Sequence, residues 1–157
     1  MVDLGCWPGG WLQVAAAIVG ASGRVVGVDI AAIEPPLELA NVVAISADLA
    51  QPGVPEQVLG LLGGPADVLL SDAAPKLTGI RATDRAREEE LLAAVAAVVP
   101  ILLRAGGSLL VKLFDSPEAD VAAKALGRRF EKTLGMRPEA SRKGTSERYF
   151  LARGFRI

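Results

Sequence analysis

Short apolar runs alternate with longer apolar segments of helical spacing along most of this chain. The short runs predict strands at Val2–Leu4, Arg24–Asp29, Val42–Ser46, Asp67–Ser71 and Ser108–Phe114. The longer segments predict helices at about Trp11–Val19, Pro55–Leu62, Thr83–Leu103 and Pro117–Phe130. This alternation is typical of a doubly wound α/β fold, in which a parallel sheet carries helices on both faces.

Turn and capping residues set the expected limits of the longest helix. Thr83 or Asp84 is predicted to cap its N terminus, and Gly106 and Gly107 are predicted to close it. Pro100 lies inside the apolar pattern and predicts a kink. Beyond residue 132 we expect two further strands, the last one over Arg148–Ala152.

Composition narrows the class of protein. The 157 residues suffice for one domain, and no linker or low-complexity block divides them, so we predict a single domain over 1–157. No apolar run reaches the roughly 18 residues of a membrane span, and the N terminus carries no export pattern, so we expect a soluble cytoplasmic protein. With Cys6 as the only cysteine and no histidine, a disulfide, a zinc site and a Ser-His-Asp triad are not expected. No heptad seam predicts self-association, and we expect a monomer.

Charge is distributed unevenly along the chain. Up to Asp72 there is one basic residue, Arg24, against eight acidic ones, whereas sixteen basic residues face ten acidic ones from Ala73 onward. The two parts therefore carry net charges of -7 and +6. An acidic half suits a cationic cofactor and a basic half suits an anionic substrate, although folding could also intermingle the two.

A glycine-rich turn and three aspartates predict a cofactor site. The segment 3–11, DLGCWPGGW, lies between the first strand and the first helix, where glycines such as Gly5 let the backbone approach a ligand. Asp29, Asp48 and Asp72 lie at or just after the ends of the next three strands, which is where open α/β sheets bind ligands. Asp29 has the spacing for an adenosine ribose, Asp48 could accept from the adenine amine, and Asp72 would face the reactive end. Singly, each is more often a turn aspartate, but together they favour a site.

A nicotinamide-dependent dehydrogenase is the main alternative for this crevice. The turn reads GCWPGG, however, and lacks the GxGxxG pattern that seats a pyrophosphate on a helix N terminus. A cofactor without phosphates fits this turn better.

A lysine in an apolar strand is the strongest candidate for chemistry. Lys112 is one of only five lysines, and a central strand buried on both faces would require partners for its charge. Asp72 and Glu147 are the available carboxylates at neighbouring strand ends. Such a lysine could act as a base toward a hydroxyl or could position it, and positioning is the safer interpretation.

Taken together, these segments make the sequence resemble the FtsJ-type (RrmJ-type) family of ribosomal RNA large-subunit 2′-O-ribose methyltransferases. The matching segments run in the family's order across nearly the whole chain: VDLGCWPGGW at 2–11, GRVVGVD at 23–29, SAD at 46–48, SDAAPKLTG at 71–79, LLRAGGSLLVKLF at 102–114 and SRKGTSERY at 141–149. The resemblance implies a Rossmann-like methyltransferase fold with a seven-stranded, mostly parallel sheet whose last strand is antiparallel.

The resemblance also implies roles for single residues. The residues that would contact S-adenosylmethionine are Gly9, Trp11, Asp29, Asp48 and Asp72. The cofactor product would be S-adenosylhomocysteine. Lys112 would be the catalytic lysine, acting with Asp72 and Glu147. The family's set contains a further lysine ahead of the glycine turn, and the present chain begins at that turn and has no counterpart of that N-terminal segment.

Contacts to RNA would come from the basic half, because phosphates are bound by Lys and Arg without regard to base sequence. The candidate residues are Lys76, Arg81, Arg142, Lys143 and Arg148, with Arg85, Arg87 and Arg137 nearby. The expected partner is ribosomal RNA or the large ribosomal subunit. Two alternatives stay open: a ribose methyltransferase of another RNA such as tRNA, and a truncated, non-catalytic module that binds cofactor or RNA.

Overall fold

The computed structural model describes residues 1–75, 78–137 and 147–157, except for the side chain of Arg81. The strands are β1 (Val2–Leu4), β2 (Val25–Asp29), β3 (Val42–Ser46), β4 (Ala66–Ser71), β5 (Leu103–Phe114), β6 (Phe130–Met136) and β7 (Glu147–Phe155). The helices are α1 (Gly10–Val19), α2 (Val54–Leu62), α3 (Arg81–Leu102) and α4 (Pro117–Gly127). No helix in these ranges is long and apolar enough to cross a membrane.

One mixed sheet contains all seven described strands, in the order β3-β2-β1-β4-β5-β7-β6. The neighbouring strands β3, β2, β1, β4 and β5 are parallel to one another, whereas β7 runs antiparallel to both β5 and β6. This confirms the predicted α/β class and the antiparallel last strand. It also places β4 beside β5, so that the residues after β4 face the end of β5.

The alternation of side chains along each strand supplies a core on both faces of the sheet. Val25 packs with Leu12 and Ala15 of α1, whereas its neighbour Val26 belongs to the larger core. That larger core also contains α2, α3 and α4, represented by Val58, Val95, Val99 and Leu126. Because adjacent residues of a strand point to opposite faces, α1 covers one face and the other helices cover the opposite face.

Several predicted limits need correction. Helix α3 begins at Arg81, and neither Thr83 nor Asp84 caps it: Asp84 instead accepts hydrogen bonds from the N–H groups of Thr78 and Gly79 in the preceding loop, at 2.7 and 3.1 Å. These bonds lower the pKa of Asp84. The helix ends at Leu102, two residues after Pro100, and is followed at once by a strand.

The later elements also differ in extent from the prediction. Strand β5 starts at Leu103 and includes Gly106 and Gly107, because Leu103 pairs with Ala66 and the pairing resumes at Ser108 with Val68 after a register shift that spans the glycines. Helix α4 ends at Gly127, and Phe130 opens β6. Strand β7 is longer than expected, spanning Glu147–Phe155.

Candidate active site

The register of the sheet brings the predicted site residues to one edge. Leu4 pairs with both Val28 and Ser71, so the residues that follow them, Gly5, Asp29 and Asp72, leave the three strands at the same level. Asp48 comes two residues after β3, which pairs with β2 through Asp29. The carboxyl ends of parallel strands therefore form a crevice lined by carboxylates, in the position where this type of sheet binds ligands.

The glycine turn holds the backbone at the base of this crevice. Gly5 has φ +78° and donates its N–H to the carbonyl of Val28 at 2.8 Å. A Cβ at this position would lie 2.4 Å from the Cα of Ala73, so only glycine permits the loop after β4 to approach. Gly9, with φ +104°, precedes the first residue of α1. Cys6 between them is buried, which raises the pKa of its thiol to about 12 and leaves it an inert apolar group.

Two of the predicted cofactor aspartates also hold local backbone. The Asp29 carboxylate accepts from the N–H groups of Trp7 and Ala31, at 3.0 and 2.9 Å. Asp48 accepts from the N–H of Ala50 at 2.9 Å, which is an ordinary aspartate turn. A carboxylate oxygen has two acceptor sites, so both side chains retain capacity for a ligand's hydroxyl or amine.

Another aspartate, Asp3, lies close to Asp72 and Asp29, and the sequence interpretation assigned it no role. It lies in β1 with no exposed surface, and neither of its oxygens accepts a hydrogen bond from the part of the chain that the structure describes. Burial, together with the charges of Asp72 and Asp29, raises its pKa to about 7. The signal was present in the sequence, because a carboxylate inside an apolar parallel strand requires a partner.

Lys112 and Asp72 form the centre of the crevice. The Lys112 Nζ lies 2.5 Å from Asp72 Oδ1, and the Lys112 side chain is only 12% exposed. Ser71 pairs with Val111, so the two site residues lie next along neighbouring strands. The predicted association of this lysine with this carboxylate is therefore present in the geometry.

Glu147 lies on the same face but outside ion-pair distance. Lys112 is directly opposite Tyr149, and Glu147 is opposite Phe114, which puts Glu147 at the diagonal position from Lys112. None of the ion pairs between described residues joins Glu147 to Lys112.

An aromatic pair connects the glycine turn to β7. The rings of Trp11 and Tyr149 are stacked, with centroids 6.0 Å apart and planes inclined by 27°. Burial and the nearby Asp72 raise the pKa of Tyr149. Trp11 was predicted as a cofactor contact, and the structure places it against the strand that flanks Lys112. Tyr149 was quoted in a motif but not assigned a role.

A glutamate of α3 holds the end of β5. Glu88 Oε1 accepts from the N–H of Phe114 at 2.9 Å, and Lys112 Nζ lies 5.9 Å from the centroid of the Phe114 ring. Glu88 and Lys112 line the same small cavity between helix and strand. Burial raises the pKa of Glu88. No sequence pattern linked these residues, because the contact depends on how α3 packs on the sheet.

The predicted RNA contacts can be located only in part. Lys76, Arg142 and Lys143 lie outside the described residues, as does the side chain of Arg81. Arg148 is 22% exposed and forms ion pairs with Asp115, at 3.3 Å, and Asp120, at 2.5 Å. Arg137 is also paired with Asp115. Arg148 thus fixes the start of β7, beside Glu147, to the loop after β5 and to α4.

The fold and the crevice define the class of protein. An open parallel sheet with an antiparallel last strand, a glycine turn without a pyrophosphate pattern and an unpartnered carboxyl, Asp3, among acidic neighbours fit a cationic nucleoside cofactor. These are features of a Rossmann-like, S-adenosylmethionine-dependent methyltransferase. Residues 1–155 match the FtsJ-like methyltransferase family, and the chain belongs to that family.

Similar proteins agree with this assignment. The chain is 42% identical over 159 residues to a ribosomal RNA large subunit methyltransferase E of Rhodopseudomonas palustris, covering 99% of this chain and 66% of that protein. It is 41% identical to the protein of the same name from Methanothermobacter thermautotrophicus, covering 99% of this chain and 74% of the relative. For a third relative, from Methanothrix thermoacetophila, the identity is 43%, with 98% of this chain and 58% of the relative covered. The chain thus spans 58 to 74% of the length of these relatives.

Solved structures share the fold. A ribosomal RNA methyltransferase from Plasmodium falciparum superposes with a TM-score of 0.83 at 22% identity, covering 98% of this chain and 85% of that one. Aeropyrum pernix fibrillarin, solved with bound S-adenosylmethionine, superposes with a TM-score of 0.68 at 19% identity, covering 96% of this chain and 64% of that one. At these identities the likeness concerns the fold.

Proposed function

We propose that this chain is the methyltransferase domain of an enzyme that transfers a methyl group from S-adenosylmethionine to the 2′-hydroxyl of a ribose in large-subunit ribosomal RNA. The observation that carries the proposal is the Lys112–Asp72 pair, 2.5 Å apart, at the carboxylate-lined edge of the sheet. Two sources support the choice of substrate: the names of the relatives and the basic charge of the second half of the chain.

Different crevice residues would contact different parts of the cofactor. Asp29 would accept from the ribose hydroxyls and Asp48 from the adenine amine. Ile30, which is 72% exposed beside Asp29, offers the adenine an apolar surface. The buried Asp3 would face the positively charged end of the cofactor, and that charge would offset the cost of burying the Asp3 carboxylate. The backbone at Gly9 would lie beside the cofactor. When bound, the cofactor supplies an electrophilic methyl group on a sulfonium.

Lys112 and Asp72 would act on the acceptor. A ribose hydroxyl is a weak nucleophile until its proton is held or removed. Lys112 Nζ would hold the hydroxyl oxygen in line with the methyl group. The Lys112–Asp72 pair would take up the hydroxyl proton as the O–C bond forms and the methyl–sulfur bond breaks, with S-adenosylhomocysteine as the leaving group. Glu147, on the same face, would accept from the ribose. Packing by Trp11 and Tyr149 beside Lys112 would limit access of water.

The ribosomal substrate also sets where the enzyme would act. Large ribosomal subunits are found in the cytoplasm, and a protein that modifies their RNA would work there. We propose that a single copy of the protein suffices for the reaction, because the Lys112–Asp72 pair and the carboxylates of Asp3 and Asp29 come from one chain.

The direct test is transfer of a labelled methyl group from S-adenosylmethionine to large ribosomal subunits that lack the modification. Fully modified large subunits and unmodified tRNA serve as matched acceptors. We expect label only in the unmodified large subunits. Label in tRNA alone would favour the other-RNA alternative, and cofactor binding without transfer to any acceptor would favour the non-catalytic module. A longer version that matches the length of the relatives separates a lost function from a requirement for further residues.

A further inference from the structure

A second basic surface lies at the far edge of the sheet, away from the crevice. It consists of exposed residues from the end of α4, from β6 and from the end of β7: Arg128, Arg129, Lys132, Arg153 and Arg156. We call these residues the edge patch. They are contiguous because Lys132 is directly opposite Arg153, and the N–H of Arg156 donates to the carbonyl of Arg129 at 2.7 Å.

The edge patch differs from Arg148 and Arg137 near the crevice because none of its charges has an ion-pair partner among the described residues. Arg148 and Arg137 are paired with aspartates, whereas none of the described ion pairs includes a member of the edge patch. The carboxylate nearest in sequence is Glu131, whose side chain lies against Gly154. The patch therefore keeps an excess of positive charge that the described residues do not neutralise.

Two of these charges oppose one another within the sheet. Like charges directly opposite on antiparallel strands destabilise the pair, and Lys132 and Arg153 occupy such positions. The guanidinium of Arg129 is held over the Phe155 ring, 5.3 Å from its centroid, and so is fixed at the surface. An anion bound between these side chains would relieve the repulsion that the free protein carries.

We propose that the edge patch binds the phosphate backbone of the ribosomal RNA at a point distant from the methylated nucleotide. Six residues of β7 separate Arg153 from Glu147, which corresponds to about 20 Å at roughly 3.3 Å per residue. This distance exceeds the reach of one nucleotide, so the edge patch contacts a neighbouring part of the RNA. The inference rests on the proposed RNA substrate and adds a second contact surface to it.

The salt dependence of binding tests the proposal, because each phosphate contact contributes to its slope. The probe is an unmodified transcript of large-subunit ribosomal RNA. The variant is Lys132→Gln/Arg153→Gln, and the control is Arg24→Gln/Arg104→Gln, which removes two charges engaged with Leu61 and Asp67. We expect the slope of log Kd against log salt to fall by about 1 for each patch charge removed and to stay unchanged in the control. Equal slopes in all three proteins would overturn the proposal.

A single substitution separates binding from folding. Arg153→Glu places a carboxylate opposite Lys132, so the melting temperature should hold or rise while RNA affinity falls at least tenfold. A parallel fall in both would mean that the patch is structural and would refute the proposal. So would binding of anionic lipid vesicles with no measurable binding of the transcript. Methyl transfer to the large subunit, measured on the same samples, reports on the proposed function: if it persists while patch variants bind RNA normally, only the edge patch inference fails.

Discussion

Residues 1–72 and residues 73–157 have opposite charge excesses, -7 and +6, and the fold uses them differently. In the first half, acidic side chains converge: Asp29 and Asp72 lie at the ends of β2 and β4, and Asp3 lies in β1 between those strands with no described partner. In the second half, the described basic side chains include the paired arginines near Glu147 and the edge patch, for which no ion pair is described.

The difference teaches that charge excess alone does not locate a binding surface. Arg148, which we predict to contact RNA, also pairs with two aspartates that hold the start of β7. Conversely, the carboxyl of Asp3 drew no attention in the sequence and is the group with the least satisfied surroundings. In each half the unpaired charge, and not the total, indicates where a ligand of opposite charge is expected.

Loss of Lys112 should have the largest effect. Lys112→Ala removes the group that we propose holds the acceptor hydroxyl, so methyl transfer should fall by roughly 10²–10⁴-fold. Cofactor affinity should change by less than about threefold, because the cofactor is held mainly by the acidic half. Initial rates and calorimetric titration with S-adenosylmethionine measure the two quantities. A large loss of cofactor affinity would mean that the basic half of the chain also holds the cofactor.

Asp3→Asn should change cofactor binding and stability in opposite directions. The affinity for S-adenosylmethionine should fall by roughly 10 to 100-fold, since a buried charge facing the cationic end is lost. The free energy of unfolding of the cofactor-free protein above pH 7 should rise, because no carboxylate remains to be ionised in a buried position. Calorimetry and denaturant titration supply the two readouts.

The pH dependence gives an internal control for that variant. The pKa of Asp3 is raised from 3.8 to about 7, so between these values the folded state keeps a proton that the unfolded chain has released. The contribution of Asp3 is therefore fully present below about pH 4 and is lost as pH rises toward 7. The parent protein should lose stability across this window relative to Asp3→Asn. Parallel pH profiles would contradict the buried state of the carboxyl.

Removing the Glu88 acceptor should have a smaller effect, confined to turnover. Glu88→Ala leaves the N–H of Phe114 without its acceptor and loosens the strand end that carries Lys112. One lost hydrogen bond of about 1 kcal/mol corresponds to a fall of roughly fivefold in kcat, with KM for the cofactor unchanged. Glu88→Gln keeps an acceptor and should restore most of kcat. If Gln and Ala behaved alike, the carboxamide acceptor would not be what positions Lys112.

The smallest effect is expected from the cap of α4. Ser116 Oγ accepts from the N–H of Ala119 at 3.0 Å. Ser116→Ala should lower the free energy of unfolding by about 1 kcal/mol and leave methyl transfer unchanged, and Ser116→Asp should retain the stability. Denaturant titration with a parallel activity assay checks this. A loss of activity would mean that α4 contributes to the site as well as to the fold.

The sequence predicted the first half of the molecule more closely than the second. Strands β1 to β4 and the aspartates at their ends follow from local apolar runs and turn residues, and Asp29 and Asp72 lie where expected. The start of α3 was misplaced because Asp84 binds the preceding loop and does not cap the helix. The length of β5 and the end of α4 were misplaced because pairing of Leu103 with Ala66 and of Phe130 with Phe155 overrides local signals. Contacts across elements, such as Glu88 with Phe114 or Trp11 with Tyr149, have no local signature at all.

The position of the transferred methyl group tests the central claim most directly. After reaction of the chain with unmodified large subunits, the RNA is digested to nucleosides and analysed by mass spectrometry. The Lys112–Asp72 geometry predicts one additional methyl group per subunit, carried by the ribose oxygen of a single nucleotide and absent with Lys112→Ala. A methyl group on a base, or an equal yield from the Lys112→Ala protein, would contradict the account.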